Sequence, residues 1–190
     1  MSPRTKEQFE DIRSEKLQLI TRTALSLFSE YGYEATSVSM IAKKAEISKG
    51  LLYNYFKSKE DLLKQIVIGG FMDFARLLVT EDDKVLGKKE ILHFIDENLV
   101  LLKSNREYYK LYFSLILQPK VFSLFNDEVM KFYYEIIQHL FLYYQQKGEK
   151  NAMVKARYLL AIFDGVGMHY IADPEGFPLD EVSEMMKELL

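Results

Sequence analysis

An all-α fold of about nine helices is predicted for these 190 residues by three observations. Apolar residues recur at helical spacing along most of the chain. No segment alternates polar and apolar residues as a strand would, and no hairpin turn signal is present. The periodic segments are separated by glycine, proline or short polar breaks, where helices stop. Three N-terminal helices, the second and third short and set around a tight turn, are expected at residues 1–57, and a larger helical bundle at 58–190.

The N-terminal elements follow from local patterning. Ile20, Ala24, Leu27, Phe28 and Tyr31 mark one face of a first helix, and Gly32 beyond them suits a left-handed C-terminal cap. Thr36 or Ser37 caps a second helix that buries Val38, Ile41, Ala42 and Ala45. Glu46 and Ile47 make the turn. Ser48 caps a third helix with Leu52 and Phe56 inward. Ser58, followed three residues later by Asp61, starts a fourth. The second and third helices have about two turns each, below the roughly 12 residues at which an isolated helix becomes even marginal. They need the first helix as a lid.

Farther along, Leu62, Ile66, Phe71, Phe74 and Leu78 continue the helical spacing across Gly69–Gly70. Each glycine costs about 1 kcal/mol relative to alanine. The pair marks a close helix crossing, which is the favoured reading, or a hinge. The charged segment Glu81–Lys89 reads as a loop. Helices are then predicted over 89–103, 107–118, 121–147, 151–171 and 179–190. Ser104–Asn105, Pro119, Gly148 and the segment from Asp173 to Pro178 divide them. This half is rich in tyrosine and phenylalanine. Such a stripe is more often core than pocket, although buried tyrosine hydroxyls need partners.

The outward face of the third helix holds Lys49, Gly50, Leu51, Tyr53, Asn54 and Tyr55, a small, polar and aromatic set suited to contact. Residues 32–63, GYEATSVSMIAKKAEISKGLLYNYFKSKEDLL, resemble the N-terminal domain of the TetR family of bacterial transcriptional regulators. The family pattern GY..TSV..IA..A.VS.G.LY.YF.SKE.L is met at nearly every fixed position. The resemblance implies that Thr36 and Ser37 hold a phosphate of double-stranded DNA at a helix N-terminus. It implies that Ser48, Lys49, Gly50 and Leu51 face base edges, with Lys49 on guanine and Leu51 on a thymine methyl. Tyr53, Asn54 and Tyr55 lie against backbone or bases, and Lys59 pairs with phosphate. Ser39 stands where some members carry a longer base-reading side chain.

The same resemblance implies an effector cavity in the C-terminal half for a small apolar or aromatic molecule. Tyr108, Tyr112, Tyr133, Ile137 and Phe163 are the candidate lining. It also implies a homodimer through the last two helices, where Ala156, Ala161, Gly165 and Gly167 permit close approach, forming a four-helix contact about a two-fold axis. Recognition helices so paired stand about 34–36 Å apart, or farther for spaced half-sites.

Composition narrows the function classes. The net charge of −3 conceals an uneven split, because residues 1–60 carry 10 basic against 8 acidic side chains and the remainder 15 against 20. The slight positive excess therefore sits on the expected DNA-binding end. Without cysteine there is no disulfide or thiolate metal site, in keeping with a cytoplasmic setting. No apolar run is long enough to span a membrane. His93, His139 and His169 lack metal-ligand spacing, no phosphate-cradling glycine loop follows a strand, and no nucleophile has an evident base. No cofactor and no enzyme activity are expected. The expected function is a ligand-responsive repressor on a palindromic operator. Two alternatives are a DNA-bound scaffold that recruits a protein partner, and a helical ligand-binding protein with a vestigial DNA-binding head.

Overall fold

A computed structural model describes residues 6–75 and 86–190, and every regular element among them is a helix. In order they are α1 (Lys6–Tyr31), α2 (Val38–Lys44), α3 (Lys49–Tyr53), α4 (Lys59–Ala75), α5 (Lys88–Ser104), α6 (Arg106–Ile116), α7 (Pro119–Gln146), α8 (Ala152–Ala172) and α9 (Leu179–Lys187). They form two compact units. One comprises Met1–Gly70 with Leu111–Phe125, the other Phe71–Lys110 with Asn126–Leu190. Helices α4, α6 and α7 each continue from one unit into the other.

In the first unit α1 packs on α2 and α2 on α3. Ile20, Ala24 and Phe28 of α1, Ile41 of α2, Leu52 of α3 and the following Phe56 are buried. Full burial of one such large side chain is worth roughly 1.5–3 kcal/mol, more than a five-residue helix gains from its own hydrogen bonds. The turn between α2 and α3 is closed by backbone alone. Ile47 N donates to Ala42 O at 3.0 Å and Glu46 N to Lys43 O at 3.2 Å, with Glu46 at φ 55. This is a Schellman closure with glutamate in the left-handed position usually given to glycine. Gly148 (φ 75) ends α7 with the same pair of bonds, to Tyr144 O and Gln145 O.

The Gly69–Gly70 pair does not break α4. A Cβ on Gly70 would lie 2.2 Å from the Tyr112 ring, whereas one on Gly69 meets nothing within 4 Å. Tyr112 cannot retreat easily, because its hydroxyl donates to Val67 O at 2.9 Å. Gly70 is therefore the close crossing that the sequence favours.

In the second unit the core gathers Ile91, Phe94 and Ile95 of α5, Ile137 and Leu140 of α7, Leu159 and Leu160 of α8, and Leu179 and Met186 of α9. Ion pairs Lys187–Asp96 (2.5 Å) and Lys103–Asp180 (2.6 Å) join α9 to α5. Partly exposed pairs contribute about 0–1 kcal/mol each, so buried Leu179 and Met186 hold the helix while the charges set its register.

Several boundaries differ from the sequence expectation. α1 begins at Lys6, well before its apolar stripe. α5 begins at Lys88, one residue before the expected start, with Glu90 Oε2 accepting from Gly87 N at 3.0 Å to open it. Pro119 is the first residue of α7 rather than a separator, where its missing N–H costs nothing. The last helix stops at Lys187 rather than at 190. The expectations for Leu78 and residues 81–85 fall outside the described residues.

Substitution at the two adjacent glycines should separate their roles. Gly70→Ala is expected to destabilise the protein by about 1–3 kcal/mol through overpacking against Tyr112. Gly69→Ala is expected to be neutral or stabilising by up to about 1 kcal/mol. Urea unfolding of both variants measures this.

Candidate nucleic-acid interface

The site is built on one reversal of the chain and two caps. α1 closes at Gly32 (φ 87), whose N–H donates to Phe28 O at 3.0 Å. Ser37, in extended conformation, caps α2 by accepting from Met40 N at 3.2 Å. Ser48 caps α3 by accepting from Leu51 N at 3.1 Å. The N-termini of α2 and α3 thus keep further backbone N–H groups for an external acceptor.

Ser37, Ser39, Ser48, Lys49, Gly50, Tyr53 and Asn54 are exposed, with Tyr53 at 52%. Leu51 and Tyr55 are half-buried, and Leu52 turns fully inward. Adjacent residues of a helix point about 100° apart, so the Leu51–Leu52 pair divides between surface and core. Gly50 has no internal reason to be glycine, since an added Cβ would meet only Ser48 Oγ, at 3.9 Å.

Two expected phosphate ligands are already committed inside the protein. Thr36 is 1% exposed, and its hydroxyl faces Gly32 O at 2.9 Å and Leu27 O at 3.1 Å, not solvent. Lys59 donates to Tyr33 O (2.9 Å), Thr36 O (3.0 Å) and Glu34 O (3.4 Å), with its ammonium 4.2 Å from the Tyr33 ring centre. These four contacts make Lys59 a brace for the α1–α2 turn. The correction has a simple cause: sequence spacing places a lysine near the turn but cannot show three carbonyls converging on it. Sequence reasoning also missed Arg13, whose guanidinium lies 5.7 Å from the Tyr55 ring centre. No local signal links residues so far apart.

α4 starts as its cap signature suggests. Ser58 Oγ accepts from Asp61 N at 3.0 Å, while the Asp61 carboxylate accepts from Lys57 N at 2.8 Å.

This geometry coincides with a known family. Residues 20–66 match the family profile described as bacterial regulatory proteins, tetR family. The match spans the part of the chain from the second half of α1 into α4. The uncharacterized HTH-type transcriptional regulator YuxN of Bacillus subtilis (strain 168) is 59% identical over 49 residues, 26% of this chain and 17% of that protein. The fatty acid metabolism regulator protein of the same organism is 25% identical over 184 residues, 92% of this chain and 93% of that one. Native NalD, the secondary repressor of the MexAB-OprM multidrug efflux pump in Pseudomonas aeruginosa, has the same fold. Its TM-score is 0.71 at 19% identity, over 92% of this chain and 94% of that one. The chain spans less than a third of the length of YuxN and two other curated regulators that it matches locally.

The residues expected to line an effector cavity do not all come together. Ile137 is in the core of the second unit, with Tyr133 and Phe163 packed against it, and Phe163 lies 5.5 Å from Phe94 between ring centres. Burial, with Asp164 nearby, raises the Tyr133 hydroxyl above its ordinary range. Tyr108 belongs to the same unit and meets Tyr109 edge-on at 5.1 Å. Tyr112 belongs to the first unit, where it is 1% exposed and bonded to Val67, so its surroundings are structural. Two open depressions of about 610 and 310 Å³, the first along α7 and the second around the α7–α8 joint, include none of the five. A polar residue was missed here as well. Asn98 is 1% exposed; its Nδ2 donates to Phe94 O at 2.8 Å, and its Oδ1 is buried without a partner among the described residues.

Gly50→Ala should leave thermal stability unchanged or slightly raised, yet weaken DNA binding in an anisotropy titration, because only an external surface needs the space. Lys59→Met should weaken binding without altering the slope of log affinity against log salt. A lysine on phosphate would instead change that slope by about 0.9 when removed.

Proposed function

We propose that this chain is a ligand-responsive transcriptional repressor that binds a palindromic operator as a homodimer in the cytoplasm. Residues 1–57 read DNA, and residues 58–190 carry the effector and dimer surfaces. The observation that carries this reading is the exposed face of α3. Lys49, Gly50, Tyr53 and Asn54 stand together beside a serine-capped N-terminus, with a glycine that the interior does not require. Ser37 and the open amides of α2 supply phosphate contacts. Lys49 donates to guanine, and the exposed part of Leu51 meets a thymine methyl.

The dimer surface is supported by an apolar stripe exposed on the last two helices. Val154, Tyr158 and Met168 of α8, Met185 of α9 and Leu189 just after it are all open. Within the α8 stripe, Gly165 has nothing within 4 Å of an added Cβ, so a close helix of a second copy gives the glycine a purpose. Desolvation by the surrounding protein raises the neighbouring Asp164 carboxyl to about 6. The residue keeps open surface in one protomer, which tempers that burden, and a partner helix over it would enlarge it.

For the effector, Tyr133, Ile137 and Phe163 supply apolar wall, and Asn98 Oδ1 supplies a buried acceptor. A small apolar or aromatic molecule bearing a hydrogen-bond donor fits that pair of requirements. The relatives agree in kind, one being named for fatty acid metabolism and another for a multidrug efflux pump. The effector releases DNA only insofar as it binds the DNA-incompetent arrangement more tightly. Helices α4, α6 and α7 are the continuous elements through which such a preference reaches the first unit. No catalytic step is assigned to any residue.

Fluorescence anisotropy with DNA from upstream of the protein's own gene tests the reading, with scrambled DNA at matched salt as control. Specific binding that Lys49→Ala weakens by roughly tenfold is expected, from a base contact worth about 1–3 kcal/mol. Gly165→Leu should shift the sedimenting species from dimer to monomer and remove specific binding with it. A genome-wide selection that recovers no preferred DNA would overturn the proposal.

A further inference from the structure

The joint between α6 and α7 lies in the first unit, packed with a turn some 85 residues earlier. Gln118 occupies that joint, two residues after α6 ends and one before α7 begins. Its Nε2 donates to Phe28 O at 2.9 Å, a carbonyl in the last turn of α1, and its Oε1 accepts from Tyr33 N at 3.2 Å. One side-chain amide therefore grips the left-handed turn at Gly32 from both sides. A side-chain amide can donate and accept at once from the same planar group. The contact is reinforced by Ser29 Oγ, which donates to Leu111 O at 2.8 Å. Lys120 and Glu34 add an ion pair at 3.9 Å, which is exposed and contributes little.

The turn so gripped is the one that sets Ser37 at the head of α2. Tyr33 is held at both of its peptide groups, its N–H by Gln118 and its C=O by Lys59. Three residues later the Thr36 hydroxyl bonds back to Gly32 O, and Ser37 then caps α2. Between the close of α1 and the cap of α2 the chain has no regular structure of its own, so these side-chain bonds determine where the phosphate-facing amides stand.

We infer that Gln118 is a positioning residue for the phosphate-gripping turn, and that the α6–α7 joint is a working part of the DNA-binding unit. The inference rests on the regulator reading for its DNA consequence, and on geometry alone for the hold on the turn. Of the bonds that tie the α6–α7 joint to the end of α1, the two from this amide are the ones that reach Phe28 and Tyr33.

The test uses the full-length protein carrying Gln118→Met, which keeps the length of the side chain and removes both bonds. Leu117→Ala, at an exposed position on the same joint, is the control. Amide hydrogen exchange of the segment 32–38 should accelerate roughly five- to thirtyfold in Gln118→Met and remain unchanged in the control, the lower figure being the size expected for one net hydrogen bond and the upper for both. Operator affinity should fall by a similar factor with the salt slope unchanged, since the phosphate contacts are misplaced rather than deleted. If Gln118→Met fails to fold, Gln118→Glu retains the acceptor for Tyr33 N–H and serves for the exchange measurement. Unaltered exchange in 32–38 overturns the inference. Faster exchange with unaltered operator affinity also overturns it, leaving Gln118 a structural bond only. If the wild-type protein shows no specific DNA binding, the regulator reading fails and the positioning role fails with it, while the exchange result still decides whether the amide holds the turn.

Discussion

A seven-residue helix and a five-residue helix cannot hold their own shape in water, and the first unit follows from that constraint. α2 and α3 have too few internal hydrogen bonds to offset the entropy of ordering them. Their stability has to come from outside, through burial of Ile41, Ala42 and Leu52 beneath α1 and through bonds made by side chains at their ends. Ser37, Ser48, Thr36, Lys59 and Gln118 all serve such ends. The benefit of short helices is that most of α3 remains available, since a single inward leucine anchors it. The recognition surface is thus held by its surroundings rather than by itself.

The glycines divide along the same line. Gly32 and Gly148 take backbone angles that other residues adopt reluctantly, and Gly70 makes room for a ring. Their reasons lie inside the chain. Gly50 and Gly165 have ordinary helical backbone and open space above them, so the interior gives them no purpose. Each costs its helix about 1 kcal/mol relative to alanine. One faces the expected DNA and the other the expected second protomer, the two places where another molecule's backbone comes close. Glu46 is the reverse case, a non-glycine residue in the left-handed region, within a turn closed by two backbone bonds and next to buried Ala45.

In the second unit polar groups are few and their satisfaction is informative. The Tyr144 hydroxyl finds Leu189 O at 3.0 Å, and burial pushes its pKa up to about 12. The Asn98 carbonyl finds no partner among the described residues. Buried acceptors are ordinarily paired, because an unpaired one forfeits its bond to water without replacement. The contrast makes Asn98 the polar feature of that core most open to an incoming donor.

Much of this was legible in the sequence, and the line between what was and was not is set by range. Caps, turns and amphipathic faces depend on residues three or four apart. Hence Gly32, Ser37, Ser48 and Ser58 with Asp61 could be placed from the chain alone, as could the all-α class and the outward set on α3. The close crossing at Gly69–Gly70 was half legible, since the pattern indicates a special site but the Tyr112 ring that decides between the two glycines is some 40 residues away. Tertiary structure alone decided that Lys59 faces inward, that Tyr112 belongs with the first unit, and that Gln118 closes the end of α1. A side chain's partners across 25 to 90 residues are selected by how helices pack in space, and helical periodicity carries no record of that choice.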